Sequence, residues 1–457
     1  MEEKKYLKWY NKVGYGSGDL AANCLYGLLT SFVMIYLTDT VGLNAGVIGT
    51  LIMFSKFADG ITDVFFGNLI DKTKSKMGKA RPWMLYSEIG NCILLVAVFS
   101  IPASLGKTAQ YAYFFIAYTL LNAVFYTANN IAYASLTSLI TKNGNERVQV
   151  GSIRFMFALV TNITVLSITV NLVTKFGGGA KGWRTVAILY AVIAMIVNAI
   201  SVFSVKELPP EEGMETEKEG EAAAEEKVSF VESLKLLLTN KYFLLIAAFY
   251  IMMYMQTGIS SIGIYYMTYV IGNPAMLGSF SMAMMLPMVI GLVFTPMLVK
   301  KFKGMYKVNL CGYGLAIVFR IGFIIGGYML NIPVMLACSA LGGLCTSPVT
   351  GDINALISAA SDYTVRTKGK HIEGAMFSCS SLGIKVGSGI GSALSGMLLA
   401  AGGYVANAAQ QSASCINMLN FMYLWFPLIS VVVITVIMYF LKVEKANADW
   451  DAAHGVK

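Results

Sequence analysis

Two acids carry the sharpest chemical signal in the chain. Asp59 and Asp63 stand four residues apart in Lys56-Phe57-Ala58-Asp59-Gly60-Ile61-Thr62-Asp63. On a helix that spacing puts both carboxylates on one face, a turn apart. The surrounding run, from about 45 to 70, is apolar and long enough to cross a bilayer. An ionisable side chain at that depth costs at least ~2.5 kcal/mol, and two neighbouring carboxylates also repel. A proton, a metal cation or a base must therefore accompany them. Lys56 precedes Asp59 by three residues and can act as a fold-holding partner, but one ammonium does not easily neutralise two acids. The other reading is a site for a small cation, Na+ or H+. Thr127 and Asn130, three apart in Tyr126-Thr127-Ala128-Asn129-Asn130, can converge as neutral oxygen donors. Na+ needs such ligands; a proton does not.

Other polar residues sit in apolar runs, where they mark a cavity or a pathway. Gly14-Tyr15-Gly16-Ser17-Gly18-Asp19 places an acid among glycines that permit close helix packing, and Asn23 lies four residues on, on the same face. Arg154 and Lys385 supply one base in each half of the chain, Lys385 within the small polar stretch that includes Ser381. They can attract an anionic ligand or pair with Asp19, Asp59 or Asp63. Arg320 and Asp352 are expected to form a second internal pair. Tyr26, Tyr126 and Tyr133 are candidates to stack on a sugar ring. Nothing points to an enzyme: there is no GxxxxGK[ST] loop, and His371 and His454 have no metal or triad partner in sequence. No cofactor is expected beyond the coupling ion.

These residues need elements that hold them in a membrane. The 457 residues are 56% hydrophobic and only 13% charged, with a mean hydropathy of +0.64. Apolar runs of about 20 residues recur from end to end, which predicts a polytopic all-α membrane protein. Twelve spans are expected, near 14–38, 45–70, 83–103, 111–140, 149–174, 183–205, 241–270, 276–299, 307–329, 333–360, 374–401 and 416–441. The Glu-rich segment around Pro209-Pro210 reads as a solvated linker. The chain thus divides into an N-terminal six-helix bundle (1–205), an acidic cytoplasmic linker (206–240), a C-terminal six-helix bundle (241–441) and a cytoplasmic tail (442–457). Lysine and arginine concentrate in alternate loops, which predicts both termini inside. The same bases account for the net charge of +9 as orientation signals beside an anionic leaflet, so nucleic-acid binding is not needed. The seven cysteines lack metal-ligand spacing and read as small core residues. No cleavable signal peptide is visible. Two equal bundles around a central cavity are the arrangement of the major facilitator fold, in which substrate sits at the midplane.

The sequence resembles the glycoside–pentoside–hexuronide:cation symporters of the major facilitator superfamily. The resemblance rests on Asp59-Gly60-Ile61-Thr62-Asp63, Gly67-Asn68-Leu69-Ile70-Asp71-Lys72-Thr73 and Gly78-Lys79-Ala80-Arg81-Pro82-Trp83. It is supported by Val13 to Asp19, Tyr36-Leu37-Thr38-Asp39, Ser361-Asp362-Tyr363, Ile372-Glu373-Gly374 and the Lys385 region. It implies that Asp59 and Asp63 hold the coupling cation with help from Thr127, that Asp19 and Arg154 bind sugar, and that Lys385 lies near the acids. It also implies a mobile cytoplasmic gate between Asp71 and Arg81. Melibiose-type members place an acid where this chain has Asn130 and a tryptophan where it has Ala134, which argues against their galactoside specificity. Where the family usually has Asp-Tyr-Gly-Glu, this chain has Asp362-Tyr363-Thr364-Val365, so the gate lacks one acid.

The expected activity is thus uptake of a sugar, glycoside or hexuronide with Na+ or H+, by a monomer in the cell inner (plasma) membrane. The substrate-binding set is Asp19, Asn23, Tyr26, Asn130, Arg154, Ser381 and Lys385. Lys56, Asp71, Arg81 and Asp362 are the gate and salt-bridge set. Two other classes remain open: a uniporter or exporter in which the acids only hold the fold, and a non-transporting membrane sensor.

Overall fold

The computed structural model describes residues 5–208, 230–370, 376 and 378–454. Most of the acidic linker, His371 and the stretch 372–374 lie outside the described residues. The helices that follow are α1 (Trp9–Thr40), α2 (Ala45–Asp71), α3 (Arg81–Val98), α4 (Lys107–Ile140), α5 (Asn145–Lys175), α6 (Gly179–Ser204), α7 (Lys241–Tyr269), α8 (Met276–Phe302), α9 (Met305–Tyr328), α10 (Ile332–Lys368), α11 (Ser378–Ala401) and α12 (Ala413–Ala453). Among the described residues 11 of them are long and apolar enough to cross a membrane. The remaining one is α3, whose apolar character is diluted by Arg81, Glu88 and Asn91. Large apolar side chains point outward along these helices: Ile61, Phe65, Val293 and Met297 are each more than 60% exposed. That is the pattern of a surface solvated by lipid, since a water-soluble chain rarely exposes apolar patches so extensively.

Local chemistry sets the helix starts. Asn44, Asn143, Asn240 and Asn331 each accept backbone N–H bonds from the first turns of α2, α5, α7 and α10. An asparagine there satisfies donors that the helix itself leaves unpaired. Among the described residues three helices contain π-helical turns, at Tyr36–Thr40, Leu120–Tyr126 and Phe421–Trp425. Such turns are rare and recur at functional sites. The one in α4 carries Asn122 and Tyr126 and leads directly into Thr127.

Contacts divide the chain into two compact units. The first contains Met1–Ala223 with the segments Met267–Gly278 and Ser392–Ser412. Its α1 glycines lie where helices approach closely, as the sequence suggests. A Cβ at Gly14 would stand 2.5 Å from Ser204, and one at Gly16 2.5 Å from Ile153. One at Gly18 would stand 2.7 Å from Ser201 Oγ and 2.8 Å from the Tyr133 ring. That ring is buried, and its hydroxyl donates to the carbonyl of Tyr15 at 2.9 Å, so it has nowhere to retreat. Gly18→Ala should therefore lower stability by about 1–3 kcal/mol, read as an earlier thermal unfolding midpoint in detergent. An unchanged midpoint would contradict this packing.

Distant segments of the first unit are tied to the end of α1. The Asp39 carboxylate accepts from the Tyr269 hydroxyl at 2.8 Å and from the Tyr404 hydroxyl, and Asn407 Nδ2 donates to the Asp39 carbonyl. Gly396 packs against the start of α2: a Cβ added there would stand 2.2 Å from the Ala45 carbonyl oxygen and 3.0 Å from Gly49 Cα.

The second unit contains Ala224–Tyr266, Ser279–Gly391 and Ala413–Lys457. Its core includes Tyr242, Phe249, Tyr313, Leu356 and Ile434. Gly383, Gly387 and Gly391 recur every fourth residue of α11 and bring it against the α7 backbone, where Cβ atoms would meet Tyr250, Ile251 and Met255 within 2.5 Å. The expected Arg320–Asp352 pair does not form. Asp352 instead accepts from Asn309 Nδ2 at 3.0 Å, and the Arg320 guanidinium stands 5.8 Å over the Phe323 ring. The reason is register: Asn309 and Arg320 are 11 residues apart on α9, roughly 16 Å along its axis at 1.5 Å per residue. A carboxylate at the level of one cannot reach the other. The last part of α12 is fixed to α10 by a bidentate pair, Arg366 Nε to Asp451 Oδ1 at 2.8 Å and Nη2 to Oδ2 at 3.1 Å.

Candidate functional site

The first unit brings together most of the residues singled out from the sequence. Asp59 is half-buried on α2, and its Oδ1 accepts the hydroxyl of Thr127 on α4. Thr127 Oγ1 also lies 3.0 Å from the carbonyl of Asn122, five residues earlier, a spacing supplied by the π-helical turn. Asp63 follows one turn along α2 and is likewise half-buried. Lys56 is 5% exposed. Its hydrogen bonds go to the Tyr26 hydroxyl at 2.9 Å and to Asn122 Oδ1 at 3.0 Å. It also faces the Tyr26 ring at 4.9 Å. Lys56 thus lies within electrostatic reach of Asp59 while its donors are directed to neutral oxygens.

A second charged pair lies in the same unit. Arg154 Nε on α5 donates to Asp19 Oδ2 on α1 at 2.7 Å, with about a fifth of each side chain exposed (21% and 17%). The guanidinium lies 3.8 Å over the Tyr133 ring, and its Nη1 donates to Thr137 Oγ1 at 3.3 Å. Stacking on an aromatic face is a geometry that arginine serves and lysine does not. Asn23 donates its amide to the Asp19 carbonyl at 2.8 Å, so it braces the α1 turn that carries the acid. In the same unit Tyr26 stacks on Tyr126, 4.8 Å apart and 17° from parallel; the Tyr26 hydroxyl accepts from Lys56, and Tyr126 adjoins Thr127 in the chain. Tyr126 feels the charges of both Asp19 and Asp59. A stacked aromatic pair in the same unit as an ion pair and a carboxylate–hydroxyl contact supplies groups suited to a polyhydroxyl ring and to a small cation.

The adjacent asparagines point apart. Asn129 is buried in the bundle, and Asn130 is exposed one turn from Thr127. Ser381 and Lys385 belong to the second unit, four residues apart on α11 and away from its glycine seam, Ser381 exposed and Lys385 half-buried. The residues expected at the gate are placed as follows. Asp71 ends α2 and is exposed. Arg81 donates from Nε to the Val202 carbonyl at 2.9 Å and from Nη1 to the Met77 carbonyl at 3.3 Å. Asp362 pairs with Arg366 at 3.8 Å.

Two acids of this unit escape a sequence reading. Glu207 accepts the backbone N–H groups of Lys79, Ala80 and Arg81 at 2.6, 2.9 and 3.1 Å, and so caps α3 from far along the chain. Glu88, in the middle of α3, is 2% exposed. Its position inside the third apolar span was the available signal.

Comparisons with known proteins give the family. Residues 14–445 match the family described as MFS/sugar transport protein. The isoprimeverose transporter of Lactiplantibacillus pentosus is 31% identical over 462 residues, covering 99% of this chain and 93% of its own. The glucuronide carrier protein homolog of Escherichia coli (strain K12) is 25% identical, covering 88% and 86%. Among solved structures, a D-xylose-proton symporter superposes with a TM-score of 0.65 at 14% identity, covering 95% of this chain and 98% of that one. At that identity the likeness shows the fold alone.

Proposed function

Since the chain belongs to the family of MFS/sugar transport proteins, we propose that it is a secondary active symporter that couples inward movement of Na+ (or H+) to uptake of a neutral glycoside by alternating access. It is a multi-pass membrane protein, and we place it in the cell inner (plasma) membrane with both termini cytoplasmic. The observation that carries the reading is that one unit holds the Tyr26–Tyr126 stack, the Asp59–Thr127 contact and the Asp19–Arg154 pair, with Tyr126 next to Thr127 in the chain and Tyr26 about two turns from Asp19 on α1.

In this mechanism the cation neutralises Asp59 and Asp63 and lowers the cost of enclosing them. Asp19 accepts sugar hydroxyl hydrogens, and Arg154 donates to sugar oxygens. The cation-loaded state binds sugar better, and by linkage sugar tightens cation binding by the same factor. Thr127 and the exposed Asn130 supply neutral oxygens, which favours Na+ over a proton at this site. We keep Ser381 and Lys385, on α11 of the second unit, as candidate substrate-binding residues, and Asp71, Arg81 and Asp362 as candidate gate residues, each within its own unit.

Charge favours a neutral sugar. Arg154 is already matched by Asp19, so a uronide carboxylate entering there meets Asp19 without an unspent positive partner. The name of the isoprimeverose transporter points the same way; that of the glucuronide carrier homolog points to a uronide. A competition experiment in proteoliposomes tests both parts. At fixed pH, Na+ should tighten sugar binding by about 5–150-fold, the usual range of coupling between two sites. A neutral glycoside should displace labelled sugar at least about tenfold better than its uronide, equivalent to 1.4 kcal/mol. No response to Na+ would reject Na+ as the coupling ion, a pH response lost in Asp59→Asn would reassign that site to a proton, and a preference for the uronide would reject the neutral substrate.

A further inference from the structure

We infer that Glu88 is a proton-binding site of the transport cycle, separate from the Asp59/Asp63 site, with Asn91 as the partner that reads its protonation. The inference rests on the symporter reading for its role in a cycle and on α3, α4 and α6 for its geometry.

Glu88 lies seven residues into α3, among apolar side chains, and is 2% exposed. Two amides converge on one of its oxygens: Asn91 Nδ2 and Asn129 Nδ2 each donate to Oε2 at 3.1 Å. The other oxygen, Oε1, is buried and has no partner among the described residues, and the same holds for Asn91 Oδ1. The titratable groups within electrostatic range of the carboxyl are Cys24 from α1, Tyr126 from α4 and Cys92 from α3 itself. From α6 comes a neutral amide, Asn198, which donates to the Met84 carbonyl at 2.9 Å beside the one that Asn129 donates to the same atom. Among the described residues no lysine, arginine or histidine forms an ion pair with Glu88. A buried carboxylate with one bare oxygen and no cation is a poor resting state.

The two bare oxygens say what fits. Hard metal cations take six or more oxygen ligands, with water filling the positions that protein does not, and two unpartnered oxygens in a closed polar island fall far short. A proton needs only one. Asn91 can serve both states of the acid. As the carboxylate, Glu88 Oε2 accepts from Nδ2. As the acid, it becomes a donor, and a half-turn of the Asn91 amide puts Oδ1 in the place of Nδ2, in line to accept from the Oε2 hydroxyl. Asn129 remains a donor to the same oxygen throughout. The proton comes from water and returns to it; no other bond is made or broken.

The site is placed to be felt by the transport machinery. Asn129 lies two residues from Thr127, the hydroxyl that meets Asp59. Tyr126 lies within electrostatic range of Glu88, Asp19 and Asp59. Loss of the proton therefore adds a negative charge within range of the ring on which we place the sugar, and sugar binding favours the protonated form.

Sugar affinity of the purified full-length protein should depend on pH by up to about tenfold per pH unit, the limit for one linked proton. That dependence should vanish in Glu88→Gln, which keeps the shape of the acid, and persist in Asp59→Asn. Infrared difference spectra should show a protonated-carboxyl band that responds to sugar in the native protein and in Asp59→Asn, and that is absent in Glu88→Gln. Should Glu88→Gln fail to fold, Asn91→Ala keeps the acid and removes its partner, and the band should move. An unchanged pH profile in Glu88→Gln would overturn the proposal. So would a carboxyl band indifferent to sugar, or one unmoved by Asn91→Ala. Because Asp59→Asn keeps the proton response, loss of ion coupling in that variant reports on the Asp59/Asp63 site alone.

Discussion

Asp59→Asn and Asp63→Asn should each abolish uphill sugar accumulation while sugar exchange down its own gradient continues. The amide removes the charge that the cation neutralises and keeps the shape of the side chain. Asp59→Asn also retains an oxygen to accept from Thr127. The ion-dependent gain in sugar affinity, on the order of 5–150-fold for two coupled sites, should fall to unity in both variants. Uptake assayed in vesicles with an imposed ion gradient, beside counterflow without one, separates coupling from passage. If either variant still accumulates sugar against its gradient, the coupling ion is held elsewhere and the two acids only maintain the fold.

The second large effect is expected at Arg154. Removing the guanidinium leaves Asp19 partly buried without its cation, and breaking a buried pair in this way costs 3–5 kcal/mol. With about a fifth of each side chain exposed (21% and 17%), solvent screens part of that, and a loss of about 2–3 kcal/mol is expected for Arg154→Gln. Sugar binding should also be lost. Arg154→Lys restores the charge but neither the Nε–Oδ2 geometry nor the stacking on Tyr133. It should therefore recover most of the stability and little of the transport. The double variant Asp19→Asn/Arg154→Gln removes both charges and should be more stable than Arg154→Gln alone, yet still inactive. Thermal unfolding and equilibrium sugar binding on the four proteins give the comparison. A fully active Arg154→Lys would mean that charge alone is required there.

The helices were legible because membrane crossing writes a long, simple pattern. Runs of about 20 apolar residues are hard to mistake, whereas the asparagines that cap α2, α5, α7 and α10 emerge only from the structure. The contact of Asp59 with Thr127 was legible in part, since both are costly residues in apolar spans, and costly residues tend to meet. Arg320 and Asp352 show where that logic fails. Both are costly and both lie in the second unit, but sequence alone does not give the relative height of two helices, and Asp352 meets Asn309 instead. The Asp39 cluster with Tyr269 and Tyr404 joins residues 230 and 365 positions apart, and no local pattern announces such a contact. Glu88 was missed for the opposite reason. A single acid in an otherwise ordinary span resembles a loop residue shifted by a boundary error, and only its burial with Asn91 and Asn129 reveals a polar island.

The most direct test of the central claim is to follow ion and sugar together in proteoliposomes that start with a sugar gradient and no ion gradient. Downhill sugar entry should drive the coupling ion inward in fixed proportion in the native protein. In Asp59→Asn sugar should enter with no ion following. Sugar crossing the native protein's membrane with no accompanying ion would contradict the account and identify a uniporter.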